Sequence, residues 1–504
     1  MNRPVEVLRG AVSATREWFA AIASQSERTI LLGTVLLASA VSVATGFVLA
    51  QCYSVDVLSS LLFLPYDCIS DLDVEVGRHC FSDATLPMSV GVRPNPWEPH
   101  PLLPKSGYAP YLNNYPAAAM LPHMTFWLLG KWLNAPRLGL FGYLLALTIA
   151  VLTPAVWAAR GARGLERIVV FVACGAAAIP AWAAIDRGNS VGFVVPIALA
   201  FLVALCRGRW GLVAVVVVLA ALLKPQFAVL AVVLFAARQW RLGGIAVAGV
   251  VISNIAVYAL WPRDFPQTIT QSIRNTVGYG SSFGTNVGDY NVSFAKGLFK
   301  ILDGIKGRAA GGAVPEGFLA GPRSLIGYAV LMLVVVSVLA LGRRIPPVMV
   351  GIVLLASASL FPAMTNRDYL VFVLPVAALV ARDPDGPAGT GIFDRLATVG
   401  GRRRAVGICV SLATAVSIAQ IALPSPPIPV PILGPEGATE TFVSLVVTTA
   451  FLSPLFWLVA CGAIIVSYAR WPAPSRRSDQ ELARAVPPDT DVSTSSTPEL
   501  MTDP

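Results

Sequence analysis

Residues 30–50 read ILLGTVLLASAVSVATGFVLA, a stretch without one charged side chain. About 21 apolar or small residues in a helix cover the roughly 30 Å of a bilayer's hydrocarbon. Arg3, Arg9, Arg16 and Arg28 precede the run, and basic residues favour the cytoplasmic side, so it reads as an uncleaved first span with the N-terminus inside. A secretory signal peptide is the competing reading. The run is long for one, its basic flank is extended, and Val48-Leu49-Ala50 matches a small-x-small cleavage site only in part.

Outward from this stretch the same composition persists. Of 504 residues 55% are hydrophobic and 13% charged, against about 25% charged in a soluble domain. Further apolar runs fall at 138–159, 168–185, 191–206, 211–223, 226–237, 243–261, 325–341, 347–362, 369–380, 405–423 and 442–468. The expectation is an all-α polytopic membrane protein of about twelve transmembrane helices. Residues 1–29 form a cytoplasmic N-terminus, 30–468 one membrane domain, and 469–504, rich in Ser, Pro, Thr, Asp and Glu, a disordered cytoplasmic tail. The net charge of +9 is spread over short clusters between apolar runs, not along the basic stripe that a nucleic-acid binder needs.

Those clusters test the span assignment. Arg160/Arg163/Arg167, Arg207/Arg209, Arg238/Arg241, Arg343/Arg344, Arg382/Arg395/Arg402–Arg404 and Arg470/Arg476/Arg477 all fall on the cytoplasmic side under two conditions. Segment 116–133, which holds His123, Lys131, Trp127 and Trp132, must lie at the interface rather than cross. Segment 211–237 must turn back at Lys224-Pro225-Gln226 rather than form one kinked helix; proline disfavours helix in the residue before it. Two large loops, about 51–137 and 262–324, are then external. Within the second, 294–305 reads as an amphipathic helix and 307–321 as Gly-rich and irregular, while the proline-rich stretch 424–441 is a stiff external loop.

Cys174, Cys206, Cys409 and Cys461 lie in or beside apolar runs as small core residues. Cys68 and Cys80 share the first loop, where an oxidising compartment leaves a disulfide or two free thiols open. His79, His100 and His123 are widely spaced and no CxxC or HExxH pattern occurs, so no metal site is expected.

With the arginine clusters inside, three cations sit in short outer turns between apolar runs, against the positive-inside tendency: Arg187, Lys224 and Arg367. Ionisable groups at membrane depth are costly and point to function, and a set of them suits a phosphate. Arg187 and Arg367 have sequence neighbours, Asp186 and Asp368, that could pair with them, whereas Lys224 has none. The first loop adds Asp67, Asp71, Asp73 and Glu75, with Asp83 further on. Glu75 and Asp83 read as solvated charges or helix caps. One carboxylate is enough to deprotonate an acceptor hydroxyl when the leaving group is a phosphate held by cations.

Asp71-Leu72-Asp73-Val74, the stretch NNYPAAAML at 113–121, DRGNSVGF at 186–193, LKPQF at 223–227 with RQWR at 238–241, and YNVSF at 290–294 together resemble the multi-spanning GT-C glycosyltransferases of glycosyltransferase family 87. That group includes polyprenyl-phosphate-mannose mannosyltransferases and arabinofuranosyltransferases. The resemblance covers roughly residues 67–375. It implies a GT-C-like fold and inverting transfer of a sugar from a polyprenyl-phosphate donor to a cell-envelope glycan or glycolipid. No cofactor is involved, and the site lies on the outer face of the plasma membrane. It implies a first-loop aspartate as base: Asp71 matches the Asp-x-x-Val pattern best, with Asp67 and Asp73 as rivals. Lys224, Arg367 and Arg187 would flank the donor phosphate, and Tyr115, Asn189, Gln226, Asn291, Ser293 and His123 would line the substrate. The chain departs from the pattern at Glu75, where a tyrosine is usual, at Tyr115-Pro116-Ala117 in place of Tyr-Pro-Pro, and at Asn366-Arg367, where relatives often carry histidine. A transporter or flippase of a lipid-linked sugar is the alternative; it would not need the outer acids, and no repeat of the kind common in transporters is visible. A membrane scaffold ranks last, because it leaves the outer cations without a task.

Overall fold

The structure is a computed structural model that describes residues 24–53, 81–101, 110–281, 286–288, 290–310, 314–434 and 437–471. Asp67, Asp71, Asp73, Glu75, Cys68, Cys80, His79, Arg3, Arg9, Arg16 and the tail after residue 471 lie outside these. The elements in chain order are α1 (Glu27–Tyr53), α2 (Ser82–Gly91), α3 (Ala117–Trp132), α4 (Pro136–Ala159), α5 (Gly164–Phe171), α6 (Ile179–Arg187), α7 (Val194–Arg207), α8 (Trp210–Leu223), α9 (Val232–Ala236), α10 (Trp240–Val257), α11 (Gln267–Ser281), α12 (Phe294–Ala309), α13 (Ala320–Leu341), α14 (Pro347–Leu360), α15 (Val373–Ala381), α16 (Ile392–Thr398), α17 (Arg404–Ile418), β1 (Ala422–Gly434), β2 (Gly437–Thr448) and α18 (Ser453–Arg470).

Six helical stretches are long and apolar enough to cross a membrane, or seven if the bent pair Gly164–Ala176 and Ile179–Arg187, which meet at 47°, is one span. The remaining apolar helices are shorter, and two are buried throughout. Every residue of α14 from Val348 to Leu360 is buried, as is all of α15, and a helix apolar all round belongs in the centre of a bundle. Three of the long helices do the reverse. Only 22% of the apolar window of α1 and 17% of those of α10 and α13 is buried, leaving Ile245, Val251, Ile252, Met332, Leu333 and Val336 exposed. Apolar belts of this size are disfavoured in water and cost nothing against lipid tails. The chain is therefore membrane-embedded.

The arginine clusters meet at one end of the bundle. Glu27, at the start of α1, is buried between Arg402, 2.7 Å away, and Arg404, 3.2 Å away. Arg28 pairs with Glu166 and donates to Ala381 O at 2.9 Å. Arg207 pairs with Asp385, and Arg395 joins Asp383, Asp385 and Cys206 O. Arg403 reaches Trp471 O. The starts of α1, α5 and α17 and the ends of α7, α15 and α18 thus share one face, as the charge pattern predicts.

Three expectations are revised or sharpened. Segment 211–237 forms two short helices and not one: α8 stops at Leu223, Lys224 is extended, and a 3-10 turn from Pro225 to Ala231 leads into α9. The loop expected at 424–441 and the first residues of the run at 442–468 are a two-stranded antiparallel ribbon, β1 with β2, so the protein is nearly but not wholly α. Pro427, Pro429 and Pro431 alternate, so their missing N–H groups all fall on one edge, which a two-stranded ribbon leaves unpaired anyway. Gly-rich 307–321 is partly regular: α12 runs to Ala309 and α13 begins at Ala320. Helix α12 itself appears as expected, capped by Ser293, whose hydroxyl accepts from Lys296 N at 3.2 Å. Segment 116–133 is the separate helix α3, outside the membrane-length set; it crosses α4 closely where Gly130 meets Gly139.

Candidate active site

At the end away from the arginines, α2 and three turns converge. The Asp186–Asn189 turn ends α6. Gly188 there has φ +68° and caps the helix through Ala184 and Ile185 carbonyls, a left-handed position that favours glycine. Its missing side chain also admits α2, since a Cβ on Gly188 would lie 2.6 Å from Ala84 Cβ. That approach brings Asp83 to the turn, where Arg187 Nε and Asn189 Nδ2 both donate to its Oδ2, at 2.8 and 2.9 Å. Burial alone would raise the Asp83 pKa. The charge and hydrogen bond of Arg187, the charge of Lys224 and the Asn189 bond outweigh it and hold the carboxyl below its ordinary value. Gly188→Ala is expected to cost about 1–2 kcal/mol for the backbone alone, before the clash with Ala84. A thermal melt of the purified variant checks it, and an unchanged midpoint would show that α2 yields freely.

Lys224 is 6% exposed. Its ammonium sits 4.5 Å from the centroid of the Tyr115 ring and 5.4 Å from that of Tyr369. Among the described residues no carboxylate forms an ion pair with it. A desolvated cation over an aromatic ring gains about 2 kcal/mol, less than the several kcal/mol that burying an ion costs. Burial therefore drags its pKa down to about 8, against the pull of Asp83 and Asp368 and with the help of Arg187.

The third turn follows α14 and carries Asn366, Arg367, Asp368 and Tyr369. The Asp368 side chain is fully buried, and neither oxygen accepts a hydrogen bond from a described residue. Among the described residues its nearest cation is Arg187, at 3.9 Å. Burial lifts its pKa to about 6, with Asp83 adding and Arg187 and Lys224 opposing. Arg187 thus faces Asp83 and Asp368 from different elements, where the sequence suggested Asp186. Arg367 is half-buried one residue before Asp368.

Behind Lys224, His123 is buried against Tyr115 and Tyr143. Tyr143 Oη donates to Gly188 O at 2.8 Å, so His123 Nε2, 3.0 Å away, is the donor to the phenol oxygen. Burial first and the Lys224 charge second push the imidazole down to about 3, leaving it neutral. Gln226 lies close to the Tyr369 hydroxyl.

The structure therefore brings together Arg187, Lys224, Tyr115, Asn189, Gln226 and His123 of the residues expected from sequence. Asn291 and Ser293 stand behind the third turn. The Asn291 amide donates to Asn286 O and Ala363 O and accepts from Ser293 N and Thr365 N, while Ser293 Oγ donates to Ala363 O. With its bonding capacity spent on the backbone, Asn291 pins the second large loop to the turn that carries Asp368. Asp67, Asp71 and Asp73 fall outside the described residues.

Asp83, Asp368, Tyr143 and Tyr369 complete the site. Asp83 corrects its reading as a solvated charge: it is the carboxylate on which α2 and the Asp186–Asn189 turn meet. The available signal was a phenol, Tyr143, in the middle of an apolar run, since a buried Tyr hydroxyl usually has a partner. No protein-family model matches the chain, and no curated protein matches it.

Proposed function

We propose that this cluster binds a polyprenyl-phosphate sugar and that the chain transfers the sugar, with inversion, to a glycan or glycolipid acceptor. One observation carries the reading: a buried ammonium and a buried carboxylate, Lys224 and Asp368, lie in one cluster and both lack hydrogen-bond partners among the described residues. Leaving such groups unmet is costly. A ligand that satisfies both offers an anion to Lys224 and hydroxyl donors to Asp368, which a sugar phosphate does.

In the transfer a carboxylate takes the proton of the acceptor hydroxyl, the acceptor oxygen bonds to the anomeric carbon, and the bond from that carbon to the phosphate oxygen breaks. The electron pair leaves with the phosphate, which Lys224 and Arg187 neutralise. We assign the base to the first external loop, to Asp71 ahead of Asp67 and Asp73, and give Asp368 the sugar hydroxyls. The shorter helical stretches α8, 225–236, α14, 369–380 and α17 bring the proposed passes to twelve, in a GT-C-like arrangement, with both termini cytoplasmic and the site outside, in the plasma membrane.

Membranes containing the protein should move label from polyprenyl-phosphate arabinose or polyprenyl-phosphate mannose into a glycan or glycolipid fraction, releasing polyprenyl phosphate. Transfer of neither sugar would sink the proposal. A transporter would instead carry the intact donor across the bilayer.

A further inference from the structure

The opposite end of the bundle holds a second charged feature that the transfer reaction does not use. A cavity of about 1020 Å³ opens between the end of α9, the start of α10 and the end of α13. Val232, Phe235, Leu339 and Leu341 wall it with apolar surface, and Arg238, Arg343 and Arg344 line it too. The α9–α10 turn lies against the end of α13, where a Cβ on Gly342 would be 3.5 Å from Ala236 O. The segment after Arg344 reaches the other arginine clusters, since a Cβ on Gly401 would be 3.8 Å from Pro346.

Among the described residues no acidic side chain pairs with Arg238, Arg343 or Arg344, in contrast to Arg28, Arg207, Arg395, Arg402 and Arg404, whose charges are met within the protein. Arg238 also occupies a left-handed position, φ +60°. It closes α9, with Arg238 N bonded to Phe235 O and Gln239 N to Leu234 O. At the same kind of helix end, α6 and α7 use Gly188 and Gly208. Here an L side chain is held in a strained conformation at a residue that lines the cavity.

We propose that this cavity is a binding site for the anionic headgroup of a phospholipid in the leaflet opposite the candidate active site. The phosphate meets the three guanidinium groups and the glycerol and upper acyl chain lie on the apolar wall, with Trp240, 63% exposed, at the interface beside them. Basic pockets between membrane helices suit such headgroups. The apolar wall favours a lipid over a free phosphate, which would leave it wet.

Native mass spectrometry of the purified chain released from nanodiscs tests this. Phosphatidylglycerol should remain bound and phosphatidylcholine should not. Arg238→Gly relieves the strained position, so in phosphatidylcholine discs its thermal midpoint should equal or exceed that of the unaltered chain. Its phosphatidylglycerol retention should nevertheless fall, by about five-fold for one arginine, and further with Arg343→Gln and Arg344→Gln. Full retention in the triple variant, or equal retention of the two lipids, would overturn the proposal. So would equal stabilisation by inorganic phosphate alone in phosphatidylcholine discs.

Discussion

Lys224→Ala is expected to lower kcat/KM for a polyprenyl-phosphate sugar by about 10²–10³-fold, the loss typical when one group that stabilises developing charge is removed from a dry site. The fold should survive, because among the described residues the ammonium is held by the Tyr115 and Tyr369 rings alone and its removal relieves a buried charge. A thermal midpoint at or above the original would accompany the loss of turnover. The pH profile separates a phosphate contact from a packing role. With its pKa lowered to about 8, Lys224 is charged below that pH and neutral above it, so donor use should fall as pH rises through about 8. Arginine stays protonated throughout, so Lys224→Arg should retain part of the activity and lose that alkaline limb. Unchanged kcat/KM in the alanine variant, or an alkaline limb that persists in the arginine variant, would remove Lys224 from the phosphate.

The membrane character, the face shared by the arginine clusters and the turn at Lys224-Pro225 were all readable from sequence, because each rests on local chemistry: run length, charge position and a proline. What the residues could not reveal was partnership across the chain. Arg187 has an acid beside it at Asp186, yet it pairs with Asp83, more than a hundred positions away, because Gly188 lets α2 approach. Asp368 looked like a local partner for Arg367 and is instead turned toward Arg187. The ribbon at 422–448 was missed for a related reason. Valines and threonines at its end continue into α18 without a break in hydropathy, and only the pairing with β1 separates strand from helix.

Asp71→Asn is expected to reduce kcat by about 10²–10⁴-fold, the usual contribution of a general base. Its effect should differ in kind from that of Asp368→Asn. Asparagine cannot accept the acceptor's proton, so loss at Asp71 belongs to the chemical step, and KM for the donor should stay within a few-fold. Asp368 is assigned to the sugar hydroxyls, and an amide there keeps one acceptor oxygen. Its variant should therefore raise donor KM more than it lowers kcat, and the acidic limb near pH 6, set by its raised pKa, should vanish. Single-turnover measurement with labelled donor separates binding from chemistry in both variants. Should Asp71→Asn turn over normally while Asp368→Asn abolishes the chemical step, the base is Asp368. The Asp83–Arg187 pair would then hold the guanidinium against the base as well as against the phosphate. Arg187→Gln removes a charge that lowers the Asp368 pKa, so it should move the acidic limb upward with either base: in kcat if Asp368 is the base, and in kcat/KM for the donor, with kcat unmoved, if Asp71 is.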